Sequence, residues 1–229
     1  MVRMSVFIVY FIGEMNLIKA VIFDMDGVIV DSEPIHQKAE KESLLKYGVK
    51  ISTEELSRYT GTTAKFMYDK LILKYKINTT FDKILSEKDK ILFKLLENNT
   101  RPISGIYELI EKLKNQNLKL GVASSSHKKL INFIIGKLKL KKMFDSIVGC
   151  DDIIHSKPHP EIFLKSAKLL NFNPDECIVI EDAKLGVEAA KKAGMKCIGY
   201  KNLNSGNQDL SKADIIIEDF EKLDVKDFV

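Results

Sequence analysis

Val21-Ile22-Phe23 is an apolar, branched run that breaks off into two acids and a glycine, Asp24-Met25-Asp26-Gly27-Val28. Such a run reads as a buried strand of a parallel sheet. Side chains alternate along an extended backbone, so Asp24 and Asp26 share one face if the chain stays extended past the strand end. Gly27 then lets the chain turn away. Two carboxylates in one crevice suit nucleophilic chemistry at phosphorus, one attacking while the other handles the leaving group's proton. A polar strand end is also routine in open α/β sheets, so the motif needs support from the rest of the chain.

The pattern downstream supplies an architecture. Ser32-Glu33-Pro34 carries a capping serine and a first-turn proline, and from Ile35 to Asn99 apolar residues recur at helical spacing without strand-like alternation. Beyond Pro102 the rhythm changes. Helices are expected over 106–113, 128–137, 160–170 and 187–192, and strands over 119–123, 147–148, 177–180, 197–199 and, at an edge, 215–217. This predicts an α/β fold, a Rossmann-like open parallel sheet core with an inserted all-helical cap. The core is expected at 15–31 and 101–229, the cap at 32–100 and an N-terminal extension at 1–14. Val6 to Ile12 is apolar but far short of the ~20 residues of a membrane span. With no cleavage-site pattern after it, the segment is read as a non-essential extension with Met15 the functional start, a weak membrane-surface anchor being the minority reading, and no membrane partner is expected.

Composition excludes other classes. Of 36 basic residues only Arg3, Arg58 and Arg101 are arginine, and the lysines are scattered, which argues against a nucleic-acid partner. Cys150, Cys177 and Cys197 form no CxxC and are odd in number, so neither zinc nor a disulfide framework is indicated and a reducing cytoplasm fits. A monomer is expected.

Three further polar groups fall at expected strand ends. Ser124-Ser125-Ser126 precedes a helix, and serves equally as a plain cap or as an anion site of hydroxyls and free amides. Lys157, in Ser156-Lys157-Pro158-His159-Pro160, stands beside prolines that stiffen the backbone and fix its direction. Glu181-Asp182 ends the Ile178-Val179-Ile180 strand, and two acids after so apolar a run call for a cation. Hard oxygen donors beside a phosphate point to Mg²⁺, and Lys157 with the serines offsets part of the remaining negative charge.

Together these motifs resemble the haloacid dehalogenase-like hydrolases, in the helical-cap subfamily that includes β-phosphoglucomutase and many sugar-phosphate phosphatases. Asp24-x-Asp26-Gly27, Ser124, Lys157-Pro-x-Pro and Glu181-Asp182 occur in the family's order, and the resemblance runs from about Leu17 to the C-terminus. It implies that Asp24 forms an aspartyl-phosphate and that Asp26 is the general acid/base. It further implies that Ser124, Ser125 and Lys157 hold the phosphoryl group, while Asp24, the Asp26 carbonyl, Glu181 and Asp182 bind Mg²⁺. The expected substrate is a small phosphorylated metabolite. In β-phosphoglucomutase a cap loop carries an arginine shortly after its glycine. Here the loop reads Gly61-Thr62-Thr63-Ala64-Lys65, with alanine at the aligned position and Lys65 as a substitute point charge. Gly61 and Lys65 are accordingly candidate substrate contacts, and hydrolysis is favoured over mutation, with a non-enzymatic phosphate-binding module as the remaining alternative. His36 and Lys88 are cap residues with two readings, cleft-facing or ordinary surface, and the surface reading is preferred.

Overall fold

The computed structural model describes residues 17–59 and 62–223. The expected extension at 1–14, Met15 and Gly61 lie outside the described residues. Strand β1 (Ala20–Phe23) runs between β2 (Lys119–Ala123) and β4 (Cys177–Glu181), with β3 (Ser146–Val148), β5 (Lys196–Tyr200) and β6 (Ile215–Ile217) completing a sheet. Its order is β3-β2-β1-β4-β5-β6, and every pairing is parallel. The expected parallel α/β core is therefore present, with β6 the partly exposed edge.

Alternation along β1 sets up two apolar layers. Val21 and Phe23 join the larger cluster, with Ile106, Leu109, Ile110 and Leu113 of helix α5 (Ile106–Asn115) and Ile131, Ile134 and Ile135 of α6 (Lys128–Lys137). Ala20 and Ile22 point the other way, towards Phe163 and Ala167 of α7 (Glu161–Leu170) and Val187 and Ala190 of α8 (Lys184–Lys192). Each face of the strand is thus buried by its own helices, which is why its residues can all be apolar.

Among the described residues, α1 (Glu33–Leu45), α2 (Thr53–Ser57), α3 (Ala64–Tyr75) and α4 (Phe81–Asn99) lie in sequence between β1 and α5. They bury a cluster of their own, in which Leu44, Tyr68, Leu71 and Ile84 are fully covered. Ser52, Thr63 and Thr80 cap α2, α3 and α4 by accepting the N–H of Glu55, Phe66 and Lys83. The long α4 continues past this cluster, and its Leu92 and Leu96 join the core layer. Between cap and core lies a cavity of about 1050 Å³.

Candidate active site

Register places the acids together. Phe23 pairs with Ile180 across β1 and β4, and the Asp24 N–H donates to Ile180 O at 2.9 Å, so Asp24 and Glu181 stand side by side one step beyond. Glu181 follows Cys177 and Val179 on the face covered by α7, and Asp24 follows Ala20 and Ile22 there. Lys157, in the loop before α7, reaches between them. Its Nζ donates to Asp24 Oδ1 at 2.5 Å, to Glu181 Oε1 at 2.6 Å and to Ala123 O at 3.4 Å. All three charged side chains are buried.

Glu181 is committed on both oxygens, since Oε2 accepts the Ala183 N–H at 2.8 Å. A Cβ at position 186 would fall 1.7 Å from Glu181 Oε1, so only glycine admits the carboxylate there. Gly27 makes similar room: at φ +83° it lies where a Cβ would come 2.0 Å from Asp182 Oδ2. Asp182 is buried and accepts the Ser205 hydroxyl.

Asp26 is held by hydroxyls. Its Oδ1 accepts from Ser32 Oγ at 2.6 Å, and its Oδ2 from Ser126 Oγ at 3.0 Å and Ser124 Oγ at 3.2 Å. His36 Nε2 lies 3.5 Å from Asp26 Oδ1, buried and without a hydrogen-bond partner among the described residues.

These surroundings divide the acids into two kinds. Burial, then Glu181 and Asp26, raise Asp24 to about 8 against the pull of Lys157. Burial with the charges of Glu181 and Asp24 also pushes Asp182 well up. Burial alone would raise Asp26 too, but His36, Ser32 and Ser126 outweigh it and hold that carboxyl below its ordinary value. Lys157, despite burial, is raised by Asp24 and Glu181 and stays an ammonium.

One lysine thus answers three buried carboxylates. A hard divalent cation on the Asp24 and Asp182 oxygens would supply the missing charge, and this all-oxygen donor set fits Mg²⁺.

Facing this floor, α1 and α4 present His36 and Lys88. Lys88 is only 8% exposed, and its Nζ lies 3.2 Å from His36 Nδ1. Glu40 stands nearby, raised by burial against the pull of His36 and Lys88. The expectation that His36 and Lys88 are ordinary surface is therefore corrected: both line the cavity. Lys88 stands in the buried row of α4, four residues from Ile84 and four from Leu92, so the inward face of this helix carries one cation among apolar residues. Lys65 is exposed and pairs with Asp69 at 2.7 Å, one turn along α3.

A family model described as haloacid dehalogenase-like hydrolase matches residues 21–200. The chain belongs to this family. It is 35% identical over 185 residues to the phosphorylated carbohydrates phosphatase of Thermotoga maritima, covering 79% of this chain and 83% of that one. Identity to hexitol phosphatase B of Escherichia coli is 30% over 215 residues, covering 93% and 97%. The crystal structure of a β-phosphoglucomutase from Clostridium difficile is 32% identical and superposes with a TM-score of 0.79, covering 92% and 95%.

In this hydrolase the serine segment differs from its sequence reading. Helix α6 begins at Lys128 behind His127, so none of the three serines sits at its N-cap. Ser124 and Ser126 point to Asp26, while Ser125 is exposed and lines the cleft. Two-residue alternation in an extended segment is the signal that would have selected Ser126. Ser32, read as the α1 cap, occupies that position without a side-chain capping bond and spends its hydroxyl on Asp26. Asn202 and Ser205 were not singled out, although they follow β5 at the sheet edge where the other motifs lie. Asn202 Nδ2 donates to Gly27 O at 2.9 Å, fixing the turn after the acids. Among the described residues no helix is long and apolar enough to cross a membrane.

Proposed function

We propose that this chain is a Mg²⁺-dependent phosphatase that hydrolyses a small phosphate monoester, a phosphorylated sugar or polyol, through an aspartyl-phosphate on Asp24. Residues 15–31 and 101–229 form its catalytic core and 32–100 its cap. The observation that carries this reading is the pair of unlike carboxylates: Asp24 pinned by Lys157, and Asp26 oriented by three hydroxyls two residues on.

Asp24 attacks phosphorus, and the bond to the leaving oxygen breaks as Asp26 gives that oxygen a proton. Asp26 then takes a proton from water, which attacks the same phosphorus and frees phosphate and Asp24. Lys157, the Ser124 and Ser125 hydroxyls and the amides of their loop hold the phosphoryl oxygens. Asp24, Asp182 and the Asp26 carbonyl would hold Mg²⁺, while Glu181, expected as a further ligand, has its oxygens taken by Lys157 and the Ala183 N–H and orients the set instead. The ion, when bound, neutralises charge on the transferring group. Asp26 is ionised in the free enzyme, so it takes up a proton from solvent before the first transfer, and the water step then returns that proton to it for the next cycle.

A second reading, a phosphosugar mutase, is favoured by Lys88, a buried cation on the cap wall able to meet a second phosphate. The exposure of Lys65 and its pairing with Asp69 weigh against it. The experiment is phosphate release from a panel of sugar, polyol and nucleotide monophosphates with Mg²⁺, with acid-quenched phosphoenzyme mapped by peptide. Phosphate release and label on Asp24 are expected. Failure to release phosphate from any substrate, or label elsewhere, overturns the proposal; hexose phosphate interconversion faster than release selects the mutase.

A further inference from the structure

By spacing alone Cys150 belongs to no metal motif, but the fold changes its company. Strands β2 and β3 lie side by side, so the loops leaving their carboxyl ends meet at the rim of the cleft. The Cys150 N–H donates to Ser126 O at 3.1 Å, and the Lys128 N–H donates to Asp151 Oδ1 at 2.9 Å, tying the loops together. Between them Cys150 Sγ lies 3.3 Å from His127 Nδ1. Ligand atoms of His127, Cys150 and Asp151 all fall within 4.8 Å of one another. A Cβ at position 149 would come 2.6 Å from Asp151 Oδ1, so the close approach depends on Gly149. All three side chains border the catalytic cavity without touching the acids beneath it.

We propose that His127, Cys150 and Asp151 form a second metal site, which takes a thiophilic transition ion such as Zn²⁺. One thiolate, one imidazole and one carboxylate make a borderline-soft set that suits tetrahedral zinc and leaves a fourth position for water. Mg²⁺ demands hard oxygen ligands and does not compete for it. Cys150 binds as the thiolate, releasing its proton to solvent. The ligands come from two loops that are already hydrogen-bonded to each other, so little ordering is left for the ion to impose. Cys177 and Cys197 are buried within strands β4 and β5 and cannot supply the sulfur. A separate group, His155, His159 and Glu161, offers no thiolate, and its carboxylate already accepts the Ile154 and His155 N–H groups.

The full chain in saturating Mg²⁺ is titrated with ZnCl₂ against a chromophoric chelator, and with CoCl₂ by absorbance. One zinc per chain and a thiolate-to-cobalt charge-transfer band are expected. Cys150→Ser and His127→Ala should each weaken zinc binding by at least about 100-fold, beyond the loss from an outer-sphere partner. Cys150→Ser also abolishes the cobalt band, and His159→Ala leaves both signals in place. A missing band in the unmodified protein, zinc affinity unchanged in Cys150→Ser, or signals lost in His159→Ala overturns the site. The band is read on the unmodified chain, so a variant that fails to fold does not rescue the proposal.

Discussion

On the core side of the cleft, Asp24 is held by Lys157, Asp26 by Ser32, Glu181 by the Ala183 N–H and Asp182 by Ser205. On the cap side, His36 and Glu40 adjoin one turn apart on α1, the packing of α4 brings Lys88 to His36, and His36 Nε2 has no hydrogen-bond partner among the described residues. The core wall ties its acids down with internal bonds while leaving an oxygen of Asp24 and one of Asp182 for a cation, and the cap wall keeps His36 Nε2 in reserve. That difference suits their tasks: chemistry needs groups that do not move, whereas recognition needs groups that can bond to a guest.

The largest expected effect breaks the core wall. Asp24→Asn should reduce turnover by at least about 10⁴-fold and remove the phosphoenzyme, since an amide does not attack phosphorus. Rapid-quench phosphate release checks this, and a loss below about tenfold would move the nucleophile elsewhere.

Asp26→Asn comes next, at roughly 10²–10⁴-fold on sugar phosphates. The loss should shrink on an aryl phosphate, whose leaving group needs no proton. Equal losses on both substrates would deny Asp26 its acid role.

Metal removal tests the same wall through stability. An acid raised on folding costs stability as pH climbs from its unfolded value towards its folded one, because the unfolded chain releases the proton first. With Asp24 raised to about 8 and Asp182 also raised, the metal-free protein should lose stability between pH 4 and 8. Mg²⁺ binds the ionised acids, so its stabilising effect should grow over that interval. At about 100 Kd the gain is about 2.7 kcal/mol, or on the order of 5–10 °C in Tm for a chain of this size. Calorimetry with EDTA and with Mg²⁺ measures it; a Mg²⁺ shift that is the same at pH 5 and pH 8 would contradict this account.

The smallest effect sharpens the cap side. Ala64 is exposed at the first turn of α3 and borders the cavity. Ala64→Arg should improve affinity for substrates with a distal phosphate by a few-fold, the ~1 kcal/mol scale of a half-exposed charge pair. It should leave the aryl phosphate rate unchanged. Steady-state KM values on hexose mono- and bisphosphates would detect the change, and its absence would show that the Ala64 position does not reach the guest.

Much of this was legible before folding, and for identifiable reasons. Asp24-Met25-Asp26 and Glu181-Asp182 stand at the ends of apolar runs, Lys157 is marked by the prolines beside it, and in a parallel sheet the strand ends face one edge, which gathers them. The sheet and its flanking helices followed from the same period-two and period-3.6 patterns. The inward face of Lys88 was legible in its four-residue spacing from Ile84 and Leu92, whereas the His36 beside it depended on how α1 packs on α4. Ser32 has the signature of a cap, yet its hydroxyl serves Asp26, because the chain turns back at Gly27 and brings the helix start over the acids. Cys150 and His127 are far apart in sequence, and only the pairing of β2 with β3 set thiol beside imidazole. Sequence carries what depends on a residue's immediate neighbours and period; partnerships across elements depend on which faces hydrophobic burial brings together, and that is a property of the whole packed chain.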